Sequence, residues 1–223
     1  SGPYTITLSY VNVGNNTATN VQLRDLIPAG MVYVTNSGRW SVTGSGVPLT
    51  DLSGDLQGTA PDTISYDFGS TVAGRVTANI SRAQPGQSGT VTFEVTIDAN
   101  ASAGTINNTV TYLYDPGTGT PTPEITGNTV SFEVVTTTGV TMTGQTIPNA
   151  PQGGEVAFTN IVRNTGNNTD TFDITVTNIS FPLGTTFALY QPDGNTPLVD
   201  STGNGIPDTG PLTTNQTYNV VIR

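Results

Sequence analysis

The residues best placed to do chemistry form one acidic loop, Asp200-Ser201-Thr202-Gly203-Asn204-Gly205-Ile206-Pro207-Asp208. Counted from Asp200, oxygen-bearing side chains fall at positions 1, 3, 5 and 9 (Asp200, Thr202, Asn204, Asp208). Glycine stands at position 6, and Ile206 offers a carbonyl at position 7. This spacing reproduces the front of an EF-hand-type calcium loop, whose tight turn aims alternate oxygens at one hard cation. Thr202 replaces the usual Asp or Asn, and Leu212 stands where the position-12 Glu belongs. The expected affinity is therefore weak, on the order of 10⁻⁴–10⁻³ M. Asp193, in Pro192-Asp193-Gly194-Asn195, is the candidate to complete the shell, and calcium is the cofactor these residues nominate. The opposing reading is a glycine-rich loop whose Asp and Asn side chains hydrogen-bond their own backbone.

Other candidates carry less information. Asp51-Leu52-Ser53-Gly54-Asp55 is a second acidic loop that reads as a solvated turn. Trp40 with Tyr33 offers a stacking platform for a glycan, although a lone Trp in a β-sandwich is more often core. Sequons of the N-x-[ST] form occur at Asn15, Asn79, Asn100, Asn107, Asn167, Asn178 and Asn215, a density that a chain rich in Asn and Thr reaches by chance. With no His and no Cys, nucleophilic triads and thiol chemistry are excluded. No feature nominates a pair of working carboxylates, and the chain is read as a non-enzyme.

Those residues must be held by elements, and the composition says which kind. Thr supplies about a fifth of the chain, with 26 Gly and 15 Pro. Thr and Val favour strands while Gly, Pro and Asn interrupt them, so the expectation is all-β. The net charge of −10 rests on sixteen acidic residues against six arginines, none of them clustered. Nucleic acid needs clustered cations, and anionic membranes repel such a chain, so neither is an expected partner. Absent Lys excludes Lys–Asn isopeptide staples, and absent Cys leaves the redox compartment open. No apolar run approaches the roughly 20 residues of a membrane span.

Alternation is clearest in Tyr4–Val11, where Tyr4, Ile6, Leu8 and Tyr10 share a face, and in Val91, Phe93, Val95 and Ile97. Between the first strands lies Asn12-Val13-Gly14-Asn15-Asn16-Thr17-Ala18-Thr19. It returns 152 positions later as Asn164-Thr165-Gly166-Asn167-Asn168-Thr169-Asp170-Thr171. Six of the eight residues are identical, and both copies carry the Gly/Asn signal of a hairpin between two alternating runs. The alternation after the turn is out of phase between copies (Val21/Leu23 against Phe172/Ile174), which predicts a bulge or changed register. Two domains are expected, residues 1–136 and 137–223, the second carrying an acidic loop over 193–208.

The stretch Tyr4–Gly30 resembles the conserved-repeat, immunoglobulin-like domains of bacterial and archaeal surface proteins. The family's N-x-G-N-x-x-x-x-N-V turn and D-x-[LI]-P-x-G are met by Asn12, Gly14, Asn15, Asn20, Val21, Asp25, Leu26, Ile27, Pro28 and Gly30. Pro85–Thr92 and Ala103–Val110 match two later segments. The resemblance covers residues 4–134 strongly and the rest loosely. It implies two tandem immunoglobulin-like β-sandwiches in an exported, cell-surface or fibre-forming protein, and it brings no catalytic residues.

The expected role is a structural building block of an extracellular surface layer, stalk or pilus-like filament, partnered by like subunits or flanking repeats of the same chain. The alternative is an adhesin that holds a glycan or partner protein through strand-end loops such as 36–62. Beginning at Ser1-Gly2-Pro3 without Met, the chain reads as a processed product or excised fragment. Thr217–Ile222 aligns with Val91–Ile97, so the second domain is expected to lack its final two strands, while the first lacks a counterpart of Val140–Gln145. Completion of both ends from outside, by the parent chain or by a neighbour, is the corresponding expectation.

Overall fold

A computed structural model of the chain describes residues 2–44, 46–177 and 180–223. They are all-β, with several antiparallel sheets and no helix among the described residues long and apolar enough to cross a membrane. The chain divides into two compact units, Ser1–Ala101 with Thr105–Glu133, and Ser102–Gly104 with Val134–Arg223.

The first unit is built on β1 (Tyr4–Val11), β2 (Ala18–Leu26), β3 (Met31–Tyr33), β4 (Arg39–Trp40) and β5 (Leu56–Thr59). It continues with β6 (Asp62–Phe68), β7 (Arg75–Ala83), β8 (Ser88–Ile97), β9 (Gly104–Asp115) and β10 (Ile125–Val134). One sheet runs β1-β8-β3, with β4 also on β8; the other runs β10-β9-β2-β7-β6-β5. Period-2 alternation sends Ile6, Leu8, Val91, Phe93 and Val95 inward from the first sheet, and Val21, Leu23, Ile64, Tyr66, Val76 and Ile80 from the second. These side chains form one core cluster, the arrangement of a sandwich. The polar stretch 36–62 holds β4 and β5, which the sequence pattern did not show. Their two and four residues are too short to display a period, and pairing with β8 and β6 makes them strands.

The second unit contains β11 (Val140–Gly144), β12 (Phe158–Asn164), β13 (Asp170–Asp173), β14 (Leu189–Tyr190), β15 (Asp208–Leu212) and β16 (Thr217–Ile222). Its sheets are β11-β12-β16-β14 and β13-β15, and its core is small: Val162, Ile174, Leu198 and Val220, flanked by Phe172, Leu189 and Tyr218.

Pairing registers show that the units repeat one design. Val11 faces Ser88 as Arg163 faces Thr217, and Ala18 faces Ala83 as Asp170 faces Leu212. Strands β1, β2, β7 and β8 therefore correspond to β12, β13, β15 and β16. Asn12 Nδ2 donates to the carbonyls of Asn16 and Ala83 (both 2.8 Å) while its Oδ1 accepts from Gly14 N (2.9 Å). Asn164 does the same with Asn168 (2.7 Å), Leu212 (2.8 Å) and Gly166 (2.8 Å). The turn entering the last shared strand also repeats: Gln84 N donates to Gln87 Oε1 and Thr213 N to Gln216 Oε1, with Gly86 and Asn215 both at positive φ.

The phase difference after the shared turn has a single-residue cause. β2 runs against β7 without a break, Thr19 facing Arg82, Val21 facing Ile80 and Gln22 facing Asn79, whereas Thr171 faces Pro211 and Asp173 faces Asp208, so the β13–β15 register shifts by one residue at Phe172. On its other side β2 has its own shift, against β9 between Thr19 and Gln22, where Asn20 stands at φ 49°.

Candidate functional site: an acidic loop and an open strand edge

The acidic loop is positioned by a further piece of the repeat. Arg39 bridges to Pro48 as Tyr190 bridges to Pro197, and Leu49 N donates to Gly38 O as Leu198 N donates to Leu189 O, each at 2.9 Å. Pro48-Leu49-Thr50-Asp51-Leu52-Ser53-Gly54-Asp55 thus corresponds to Pro197-Leu198-Val199-Asp200-Ser201-Thr202-Gly203-Asn204. The two acidic loops, which look unrelated in sequence, are one loop in two copies. In the first unit the chain then forms the β5–β6 hairpin before β7. In the second it goes straight from Asn204 through Gly205-Ile206-Pro207 into β15, so the loop stands in for a hairpin.

That shortcut is held by carboxylates on amides. Asp200 Oδ1 accepts from the N–H groups of Gly203 (2.6 Å), Thr202 (3.1 Å) and Asn204 (3.3 Å), and Oδ2 from Gly205 (2.7 Å). Asp208, almost wholly buried, accepts from Ser201 Oγ (2.6 Å) and Gly210 N (2.7 Å) on Oδ1, and from Ser201 N (2.7 Å) and Thr202 N (3.1 Å) on Oδ2. Asn204 Oδ1 takes the Ile206 N–H and its Nδ2 reaches Asp173. Asp193 closes its own turn on Thr196 and Asn195. Each carboxyl is consequently held below the usual carboxylate range: Asp200 chiefly by Gly205 N–H, Asp208 by the Ser201 hydroxyl, Asp193 by the Thr196 hydroxyl.

The six candidate calcium ligands are Asp193, Asp200, Thr202, Asn204, Ile206 and Asp208, and their carboxylates are already engaged. Both carboxylate oxygens of Asp200 and of Asp208 face backbone donors, Asp193 sits in a separate turn, and among the described residues no cluster of three or more carboxylates is in metal-holding position. These hydrogen bonds are those of a glycine-rich loop closed on its own backbone.

Trp40 and Tyr33 do not form a glycan platform. Trp40 is 1% exposed and Tyr33 6%, and a ring without an open face cannot stack a sugar. Trp40 Nε1 donates to Tyr10 Oη (3.0 Å), and Tyr33 Oη bonds both Asp51 (2.7 Å) and Tyr66 Oη (3.0 Å). Burial pushes both tyrosine hydroxyls well above their usual range. Asp51, the counterpart of Asp200, thus reaches into the first core instead of closing its own loop. Of the seven sequons, Asn178 lies outside the described residues.

Sequence reasoning missed a groove of about 900 Å³ in the first unit. One wall is β1, every residue of which from Thr5 to Val11 lines it; the other carries Val110, Tyr112 and Tyr114 of β9 and Val130 and Phe132 of β10. Successive strand residues point to opposite faces, so a cavity touching all of them runs along the strand's edge. β1 is the terminal strand of its sheet. Tyr4 packs edge-on against Phe132 at one end of this space (5.9 Å between centroids), and the Asn12–Asn16 turn lies at the other. Asp25 and Asn108 also border it. They bond each other at 2.9 Å, yet Asp25 Oδ1 and Asn108 Oδ1 are buried without partners, and burial pushes the Asp25 carboxyl up. The signal available in the sequence was the unmatched Val140–Gly144 strand of the second copy.

Comparison with models of protein families gives no match to this chain. Comparison with curated proteins gives none either.

Proposed function

We propose that this chain is a structural building block of an extracellular surface assembly, a layer, stalk or filament, made of immunoglobulin-like β-sandwich repeats. The observation that carries this reading is the repetition itself. Two units share four strands, their registers up to one shift at Phe172, an Asn-centred turn and a Gln-centred turn. Duplication that preserves scaffold while trimming a hairpin is the behaviour of an array, in which each unit contributes length and a repeated surface. The resemblance of residues 4–134 to surface-protein repeats points the same way. Two facing sheets around one core support the immunoglobulin-like assignment of the first unit. Gold-labelled antibody against the chain, applied to intact cells of the source, tests the location: label arrayed over the exterior is expected. Label that appears only after permeabilisation contradicts the reading.

A further inference from the structure

Resting on that reading, we infer that the groove beside β1 receives the Val140–Gly144 strand of a second copy of this chain, which extends the β1-β8-β3 sheet by one antiparallel strand. The second unit itself shows what belongs on this edge. β12, the counterpart of β1, is bordered by β11, with Val140 opposite Asn164, Met142 opposite Val162 and Gly144 opposite Asn160. Directly opposed residues share a face, and Val162 and Asn164 point inward, so Val140 and Met142 do too. Carried onto β1, the same register sets Val140 against Asn12, Met142 against Tyr10 and Gly144 against Leu8, whose side chains border the groove.

The two halves are complementary in what they lack. In the first unit a wall of β9 and β10 faces an empty strand position. In the second, β11 occupies that position, but among the described residues no counterpart of β9 and β10 covers it, and Val140 and Met142 are 51% and 55% exposed. β11 is terminal in its sheet and is held there through one edge, so it brings that same edge and face to β1 by exchanging β12 for the β1 of a second copy. A small apolar ligand of similar volume would leave the backbone N–H and C=O groups along β1 without partners, whereas a strand satisfies them. The contact joins different surfaces of the two molecules, so it propagates as an open chain of copies.

The test is a complementation between two variants of the whole 223-residue chain. Met142→Asp spoils the donated strand and leaves the groove; Val130→Glu, at a half-exposed position on β10, spoils the groove wall and leaves the strand. In sedimentation velocity the unaltered chain is expected to associate with rising concentration, and each variant alone to associate at least 10-fold more weakly. Mixing the two should restore a single junction and stop at the dimer, with β1 amides protected from hydrogen exchange only in the mixture. A chain that stays monomeric, or association that both variants leave unchanged, overturns the inference. So does protection of β1 by a small apolar molecule in the monomer. Exterior labelling of cells combined with a monomeric purified chain would sink this docking and leave the structural role standing.

Discussion

Asn164 has no exposed surface, and its one amide serves the Gly166 N–H and two carbonyls, Asn168 and Leu212. Asn164→Ala leaves three backbone groups unpaired in the interior, an expected loss of roughly 2–4 kcal/mol. Asn12→Ala removes the same three bonds at a half-exposed turn where water replaces them, and about 1 kcal/mol is expected. Urea unfolding of both variants checks this, and equal losses would contradict it. Asp25 acts in the other direction. Its carboxyl pKa is raised by burial, so in the folded state it holds its proton to higher pH than in the unfolded chain. Its contribution is fully present below the unfolded value and is lost as pH rises through the folded one. Asp25→Asn removes the ionisable group and is expected to stabilise the first unit at pH 7 by on the order of 1 kcal/mol, the gain fading toward pH 4. Melts of the variant at the two pH values decide it; a gain that grows in acid would contradict the assignment.

At the scale of elements, equivalent strands keep register while exchanging side-chain size. Tyr10 faces Gly89 in the first unit, where an added Cβ would collide with the Tyr10 hydroxyl; Val162 faces Tyr218 in the second. The large residue changes strand and the pair still fills the same space. Such compensation hides a repeat from residue-by-residue comparison, and so does the lost β5–β6 hairpin, which changes the spacing between copies from 149 positions at Pro48/Pro197 to 129 at Ser88/Thr217. The Asn12 and Asn164 turns were legible as turns because an Asn side chain closes each on its own backbone, but each joins strands of two different sheets and not the hairpin that Gly and Asn suggest. The acidic loop was legible as a tight turn, and its spacing alone does not choose between a cation and amides, since oxygens spaced for one are equally spaced for the other. With its carboxylates on its own backbone, Asp200→Ala is expected to lower the second unit's melting temperature by roughly 5 °C. The drop should be the same in calcium and in EDTA. A shift seen only with calcium would restore the metal reading.

Over the whole molecule the two units should answer pH differently. Three carboxyls of the second, Asp193, Asp200 and Asp208, are held low by hydrogen bonds. Their contribution is present above the unfolded value of about 3.9 and is lost as pH falls through the folded values. In the first unit Asp25 is relieved over the same descent. Trp40 is the chain's single tryptophan and reports the first unit alone. Acid titration is therefore expected to reduce far-ultraviolet circular dichroism before Trp40 fluorescence changes, and a simultaneous change would contradict this order. The all-β class and the main strands of the first unit were legible because alternation there spans long, half-buried strands. The open edge was not, since an edge is defined by a neighbour that is absent.

Negative-stain electron microscopy of native material decides whether the proposed repeat is built for assembly. Filaments or a lattice decorated along their length by antibody to the chain are the predicted result. Native material dispersed as discrete single particles would contradict it.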